Sequence, residues 1–84
     1  MNDETTFVDA SGLKCPLPVL KARKALEGLA QGDKLHVIST DPASPLDFKH
    51  FCNSKGHSLL SIEEKQDSFE FVIVKAGEQK GSKP

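Results

Sequence analysis

Hydrophobic positions recur with two different periods along this chain, and the changes of period divide it into short elements. Between residues 16 and 30 the apolar side chains follow a helical spacing, while charged residues occupy the other faces. These apolar positions are Val19, Ala22, Leu26 and Leu29. The pattern predicts an amphipathic first helix over about residues 16–30.

Four other segments have the composition of β-strands. Residues 7–10 and 34–40 are short and rich in residues that tolerate extended backbone. Residues 58–64 and 68–75 alternate apolar and polar side chains on either side of a polar turn, which is the pattern of a hairpin. The apolar positions of this hairpin are Leu60, Ile62, Phe69, Phe71 and Ile73.

A second helix is indicated between the second and third strands. Ser44 is suited to the N-cap, Pro45 to the first helical position, and Asp47 to the third residue after the cap. The apolar positions that follow are Phe48, Phe51 and Cys52. Gly56 is well placed to close the helix, because glycine readily adopts the left-handed conformation found there.

The resulting order is βαβαββ, which predicts an α/β (α+β) two-layer sandwich with two helices on one face of a four-stranded sheet. We expect residues 1–76 to form one domain. Residues 77–84 carry no apolar anchor, so we expect a disordered C-terminal tail there.

Charge and hydropathy narrow the classes of function. Eleven basic and twelve acidic side chains give a net charge of −1, so direct nucleic-acid binding is not expected. No segment approaches the length of a membrane span, and residues 1–6 do not have the basic and then apolar character of a secretory signal. We therefore expect a cytoplasmic protein without membrane association.

The charge is nevertheless uneven along the chain. Four basic residues and no acidic residue lie between Asp9 and Glu27. They are Lys14, Lys21, Arg23 and Lys24. This basic stretch has two interpretations, a solvated helix face or a docking surface for an acidic partner.

Cys15 lies inside the basic stretch, at the predicted start of the first helix. Pro16 and Pro18 favour helix initiation. Proline lacks a backbone N–H, but N–H groups in the first turn of a helix have no hydrogen-bond partner within the helix in any case. Gly12 belongs to the turn that precedes Cys15. The positive end of the helix dipole and the nearby lysines should lower the pKa of this thiol and raise its reactivity. The alternative is that Cys15 is a small apolar packing residue.

The remaining cysteine and the histidines give weaker signals. Cys52 falls on the apolar side of the second helix and is expected to pack in the core. Two cysteines separated by 36 residues are too few for a disulfide framework, so both should be free thiols. His36, His50 and His57 do not form a zinc-binding spacing with Cys52, so no metal is expected.

The C-P-x-P motif of Cys15-Pro16-Leu17-Pro18 lies at the centre of an ordered string of residues that runs from about position 7 to 75. The positions of this string are Asp9 to Val19, Arg23-Lys24, Leu29, Gly32-Asp33, Asp41-Pro42-Ala43, Asp47, Phe51-Cys52 and Gly56 to Leu60. Together they closely resemble the TusA (SirA-like) sulfurtransferase family.

The resemblance implies a fold, a reaction and partners. The fold is a two-layer sandwich with a mixed sheet. The reaction is sulfur transfer without a cofactor, with Cys15 accepting sulfane sulfur as a persulfide from a cysteine desulfurase or a rhodanese. A downstream sulfur-relay protein would accept the sulfur, and the expected destination is tRNA 2-thiouridine modification or related sulfur trafficking. The resemblance implies docking roles for Arg23 and Asp41, and we expect a monomer.

Two other functions stay open at this point. One is a non-catalytic interaction or regulatory module that docks through the basic face of the first helix. The other is a selenium or redox carrier that uses the same cysteine and differs only in the atom carried.

Overall fold

The computed structural model describes residues 5–76 and has the predicted βαβαββ order. Its elements are β1 (Thr5–Ala10), α1 (Leu17–Glu27), β2 (Lys34–Ser39), α2 (Ser44–Lys55), β3 (Ser58–Glu64) and β4 (Phe69–Val74). The C-terminal tail predicted over residues 77–84 lies outside the described residues. Neither α1 nor α2 is long and apolar enough to cross a membrane.

The four strands form a single mixed sheet in the order β1-β2-β4-β3. β1 and β2 are parallel and are connected through α1, while β4 is antiparallel to both of its neighbours. β3 and β4 form the predicted hairpin, but its register shifts between Leu59 and Ser61. The shift leaves Leu60 56 % exposed, so its predicted place in the apolar face of the hairpin is wrong and Leu59 packs against the core instead.

One face of the sheet packs against both helices, as predicted. The strands contribute alternate residues to a continuous buried cluster, namely Val8, Ala10, Leu35, Val37, Phe71 and Ile73. The helices contribute Ala22, Leu26, Phe48, Phe51 and Cys52. At the centre, the rings of Phe48 and Phe71 stack with centroids 4.4 Å apart, which fixes α2 over β4.

α1 ends earlier than its hydrophobic pattern predicts. The helix stops at Glu27, and Gly28 follows as the C-cap. Lys75, just after β4, donates from Nζ to the carbonyls of Leu26 and Leu29 at 2.7 and 3.0 Å. Leu29 still packs against the core, so its hydrophobic position was recognised correctly although it lies beyond the helix. The Lys75 side chain thus provides hydrogen bonds to the Leu26 and Leu29 carbonyls, which a longer helix would have bonded within itself.

The start of α2 also differs from the prediction. Ser44 is the first helical residue, and Ala43 occupies the N-cap without a side-chain bond. The Ser44 hydroxyl is buried and bonds the Ser39 hydroxyl at the end of β2. Ser44 therefore joins the helix to the sheet instead of capping it. Gly56 closes the helix in the left-handed conformation, with φ of 81°, as expected.

The two ends of the sheet have different roles. Thr5, Lys34 and Val74 align at one end, whereas Ala10, Ser39 and Phe69 align at the other. Cys15 follows Ala10 by five residues, at the second end. The loops after β1 and β2 both leave from this end because the two strands are parallel.

Candidate functional site

Cys15 is exposed and directly precedes α1, as predicted. Pro16 is the N-cap residue, and its carbonyl accepts the N–H of Leu20 at 3.1 Å. Pro18 lies in the first turn and is buried. The peptide bond between Cys15 and Pro16 is cis. The two prolines therefore begin the helix immediately after the thiol.

The loop that carries Cys15 is tied to the loop after β2. The N–H of Gly12 donates to Thr40 Oγ1 at 2.9 Å, and the N–H of Cys15 donates to the carboxylate of Asp41. The same carboxylate accepts the N–H of Ala43 at 3.1 Å. Asp41, for which the family resemblance implied a docking role, is half-buried and connects the two loops. Gly12 has a φ of 80°, a backbone conformation that glycine adopts at no steric cost.

A shallow groove of about 460 Å³ lies beside the thiol, between the start of α1 and α2. Its lining residues are Cys15, Pro16, Val19, Asp47, His50, Phe51 and Ser54. The sequence did not predict that Asp47, His50 and Ser54 lie beside Cys15. Their spacing of three and four residues is a usable signal, because residues so spaced share one face of a helix.

The electrostatic setting of Cys15 differs from the expectation. Its pKa is raised, first by a hydrogen bond to the Asp47 carboxylate, then by desolvation, and then by the negative charges of Asp47 and Asp41. The lowered pKa predicted from the helix dipole and the lysines is therefore wrong. The lysines are close to Cys15 in sequence, whereas the acidic groups reach it from the loop after β2 and from α2.

The basic residues predicted around Cys15 have other surroundings. Lys21 donates from Nζ to the carbonyl of Asp9 at 3.0 Å, and Arg23 pairs with Glu27 at 3.9 Å. Lys14 and Lys24 are exposed. None of the four lines the groove that contains Cys15.

A second cleft, of about 280 Å³, lies toward the other end of the two helices. Its lining residues are Arg23, Leu26, Glu27, Phe51, Lys55, His57 and Lys75. Phe51 contributes to both this cleft and the thiol groove. Arg23 of α1 and Lys55 of α2 therefore line this cleft and not the groove that contains Cys15.

Cys52 is buried, in contrast to the exposed Cys15. It is 3 % exposed, packs in the core as predicted, and burial raises its pKa to about 11. Both cysteines are free thiols. At neutral pH a buried thiol of this kind stays protonated, so Cys15 is the accessible sulfur nucleophile of the described residues.

Two of the histidines considered as metal ligands, His36 and His57, have separate partners. His36 Nε2 lies 2.9 Å from Glu70 Oε1, and the Nδ1 atom of His57 accepts the N–H of Ala76 at 2.9 Å. Within residues 5–76, no three histidine, cysteine or acidic side chains come together in a way that could hold a metal ion.

Residues 6–75 match the family model described as sulfurtransferase TusA. The chain belongs to the TusA family. A protein of Neisseria meningitidis serogroup A, named "putative sulfur carrier protein", is 49 % identical over 73 residues, covering 87 % of this chain and 96 % of its own. The sulfur carrier protein TusA of Allochromatium vinosum is 45 % identical over 76 residues, covering 90 % of this chain and 100 % of its own.

A solved structure supports the same relationship. The crystal structure of the SirA-like protein from Desulfitobacterium hafniense superposes with a TM-score of 0.74 at 27 % identity. The match covers 88 % of this chain and all of that one. The resemblance drawn from the sequence, and the α+β fold that it implies, are thereby confirmed.

Proposed function

We propose that this TusA-family protein is a sulfurtransferase that carries sulfane sulfur as a persulfide on Cys15 and passes it to the thiol of an acceptor protein. The observation that carries the proposal is the contrast between the two thiols. Cys15 is exposed beside an open groove, while Cys52 is buried in the core. Relatives named as sulfur carriers support the same role.

Loading requires one displacement at sulfur. The Cys15 thiolate attacks the terminal sulfur of a persulfide on the donor, a cysteine desulfurase or a rhodanese. A bond forms between Cys15 Sγ and that sulfur, the donor's own S–S bond breaks, and the donor cysteine leaves as a thiolate. The step is a thiol exchange in form and needs no net oxidation. The shallow, open groove is suited to it, because the donor cysteine must approach Cys15 directly.

Unloading is the same displacement toward a different thiol. An acceptor thiolate attacks the terminal sulfur, and the electron pair of the broken S–S bond stays on Cys15 Sγ. We propose that the acceptor is a sulfur-relay protein and that the sulfur serves tRNA 2-thiouridine formation or related sulfur trafficking. The family membership and the names of the relatives support the sulfur-carrying role on which this part of the proposal rests.

Intact mass spectrometry tests the proposal. Wild-type protein incubated with a cysteine desulfurase and L-cysteine should gain the mass of one sulfur atom, and a reductant should remove it. Cys15→Ser should gain nothing, whereas Cys52→Ser should load like the wild type. Loading of Cys15→Ser, or its absence from the wild type with both a desulfurase and a rhodanese as donor, would contradict the proposal.

Partner-binding measurements separate the carrier from a docking module. A module that acts through the basic face of α1 would bind its partner equally well with Cys15→Ser and would lose binding on charge reversal at Arg23 and Lys24. A carrier would load sulfur only with the thiol present. Binding measurements on the Cys15→Ser and Arg23→Glu/Lys24→Glu proteins therefore distinguish the two functions.

A further inference from the structure

Two carboxylates approach Cys15 from elements that lie far from it in sequence. Asp47, in the first turn of α2, lines the groove into which the thiol opens. Asp41 holds the backbone N–H of Cys15 from the loop after β2. The other ionisable groups beside the thiol are Lys14, adjacent in sequence, and His50 on α2. The residues that the α1 side contributes to the groove, apart from Cys15, are Pro16 and Val19.

We propose that Asp47 sets the protonation state of Cys15 and biases the carrier toward releasing sulfur. The inference rests on the proposed function and concerns the same site. Cys15 and Asp47 line the same groove, while Lys21 of α1 bonds the carbonyl of Asp9 and Arg23 pairs with Glu27. Asp41 adds a second negative charge but is committed to two backbone N–H groups.

The bias follows from the charge balance of the transfer. A persulfide is more acidic than the corresponding thiol, so the loaded site carries a negative charge at neutral pH. On unloading, the acceptor thiolate takes the terminal sulfur, the S–S bond breaks, and Cys15 Sγ receives the electron pair. Sγ then takes up a proton from water. A neighbouring carboxylate accepts a hydrogen bond from the resulting S–H and repels the anionic loaded form. Both effects favour the unloaded state.

The acid-base behaviour of the resting thiol agrees with this arrangement. The pKa of Cys15 lies above its usual range, and the hydrogen bond to Asp47 is the largest cause. The thiol is exposed, so its protonation is controlled by these neighbours more than by burial. A donor protein that brings positive charge to the groove would offset the carboxylates and favour the thiolate needed for loading.

The pH dependence of Cys15 alkylation by iodoacetamide tests the inference without any sulfur donor. Asp47→Asn should move the midpoint to lower pH and speed alkylation at pH 7 by about threefold, as expected for removal of one nearby charge. Asp47→Glu, which keeps the charge, should restore most of the wild-type profile. Asp67→Asn, on the exposed β3–β4 turn, is the matched control and should change nothing.

Two outcomes would overturn the role of Asp47. One is an Asp47→Asn profile identical to that of the wild type. The other is a shift of equal size with His50→Gln, which would assign control of the thiol to the other ionisable group on α2. Circular dichroism of each variant confirms that the compared proteins are folded.

Persulfide retention completes the test. When loaded protein is mixed with a small thiol acceptor, Asp47→Asn should retain its sulfur longer than the wild type, again by about threefold. If wild type and Asp47→Asn retained the persulfide equally long although their alkylation profiles differed, the proposed bias toward sulfur release would be overturned. Failure to load the wild-type protein would instead count against the proposed function, and the alkylation profiles would still decide the protonation of Cys15.

Discussion

The backbone N–H of Cys15 donates to the carboxylate of Asp41. The same carboxylate also accepts the N–H of Ala43 and so connects the two loops at this end of the sheet. Asp41→Ala removes both acceptors. We expect a loss of about 1–2 kcal/mol in the free energy of unfolding and several-fold slower persulfide loading, because the thiol is no longer positioned.

The control for this prediction is Asp33→Ala. Asp33 accepts the N–H of Ala30 at 3.0 Å, in a loop at the far end of the sheet. It should lower stability in urea unfolding but leave loading by mass spectrometry unchanged. Equal loading by Asp41→Ala and wild type would show that the bonds from Asp41 do not position Cys15.

Cys52 gives the complementary prediction at the same scale. Cys52→Ser places a hydroxyl in the core beside apolar groups, and we expect it to cost about 1–3 kcal/mol. Loading should be unaffected because the thiol is 3 % exposed. Iodoacetamide should modify one cysteine in the native protein and two in denaturant, as counted by mass spectrometry. Rapid modification of Cys52 in the native protein would contradict the packing described here.

At the scale of elements, a buried hydroxyl pair joins α2 to the sheet. Ser39 and Ser44 bond each other, and both side chains are inaccessible to water. Replacing either one by alanine leaves the other without this partner, so each single variant should lose about 1 kcal/mol or more. The double variant should lose less than the sum of the two. Urea unfolding of the four proteins measures this coupling, and simple additivity would contradict it.

Helix closure provides a second prediction, with its control inside the same chain. Gly56 has a φ of 81°, and a Cβ placed there would meet no atom within 4 Å. Gly56→Ala should therefore cost about 1–2 kcal/mol from backbone conformation alone. Gly28 also follows a helix but has a φ of −91°, so Gly28→Ala should be neutral or slightly stabilising. Thermal unfolding compares the two variants.

The sequence predicted the elements better than their connections. Hydrophobic period and turn residues identified all six elements, since these signals are local. The end of α1 was missed because Lys75, nearly fifty residues away, bonds the Leu26 carbonyl in its last turn. The role of Ser44 was missed because its partner is on β2. Each error is a contact between residues that only the folded chain brings together.

The site shows the same division. Motif and helix position identified Cys15 as the exposed thiol before α1. Its acid-base setting was predicted with the wrong sign, because Asp47 reaches the thiol across the interface between the helices. Charged residues that are close to Cys15 in sequence need not contact it in the fold. Lys21 bonds the carbonyl of Asp9 and Arg23 pairs with Glu27.

For the whole molecule, His57 predicts a loss of stability in mild acid. Its pKa is lowered by burial and by the charges of Lys75 and Lys55. The unfolded chain therefore binds a proton more readily than the folded one, so the contribution of His57 is complete above about pH 6.5 and falls as the pH drops below it. Protonation of Nδ1 would also remove the acceptor for the Ala76 N–H.

Urea unfolding at several pH values between 5 and 8 checks this prediction. The wild type should become less stable below about pH 6.5, and His57→Gln should show a weaker dependence over that range. His36→Gln is a useful comparison, because His36 pairs with Glu70 on the opposite face of the sheet. An unchanged slope in His57→Gln would assign the acid sensitivity to another group.

The polarity of the sheet has a practical consequence for handling the protein. Thr5 and Val74, near the two limits of the described chain, align at one end of the sheet, and Cys15 follows the other end of β1. An affinity matrix or sensor surface joined ahead of β1 or after β4 would therefore be anchored at the end of the sheet opposite the thiol. Captured in this orientation, the protein would present its reactive sulfur to the solution, so it can serve as bait for donors and acceptors.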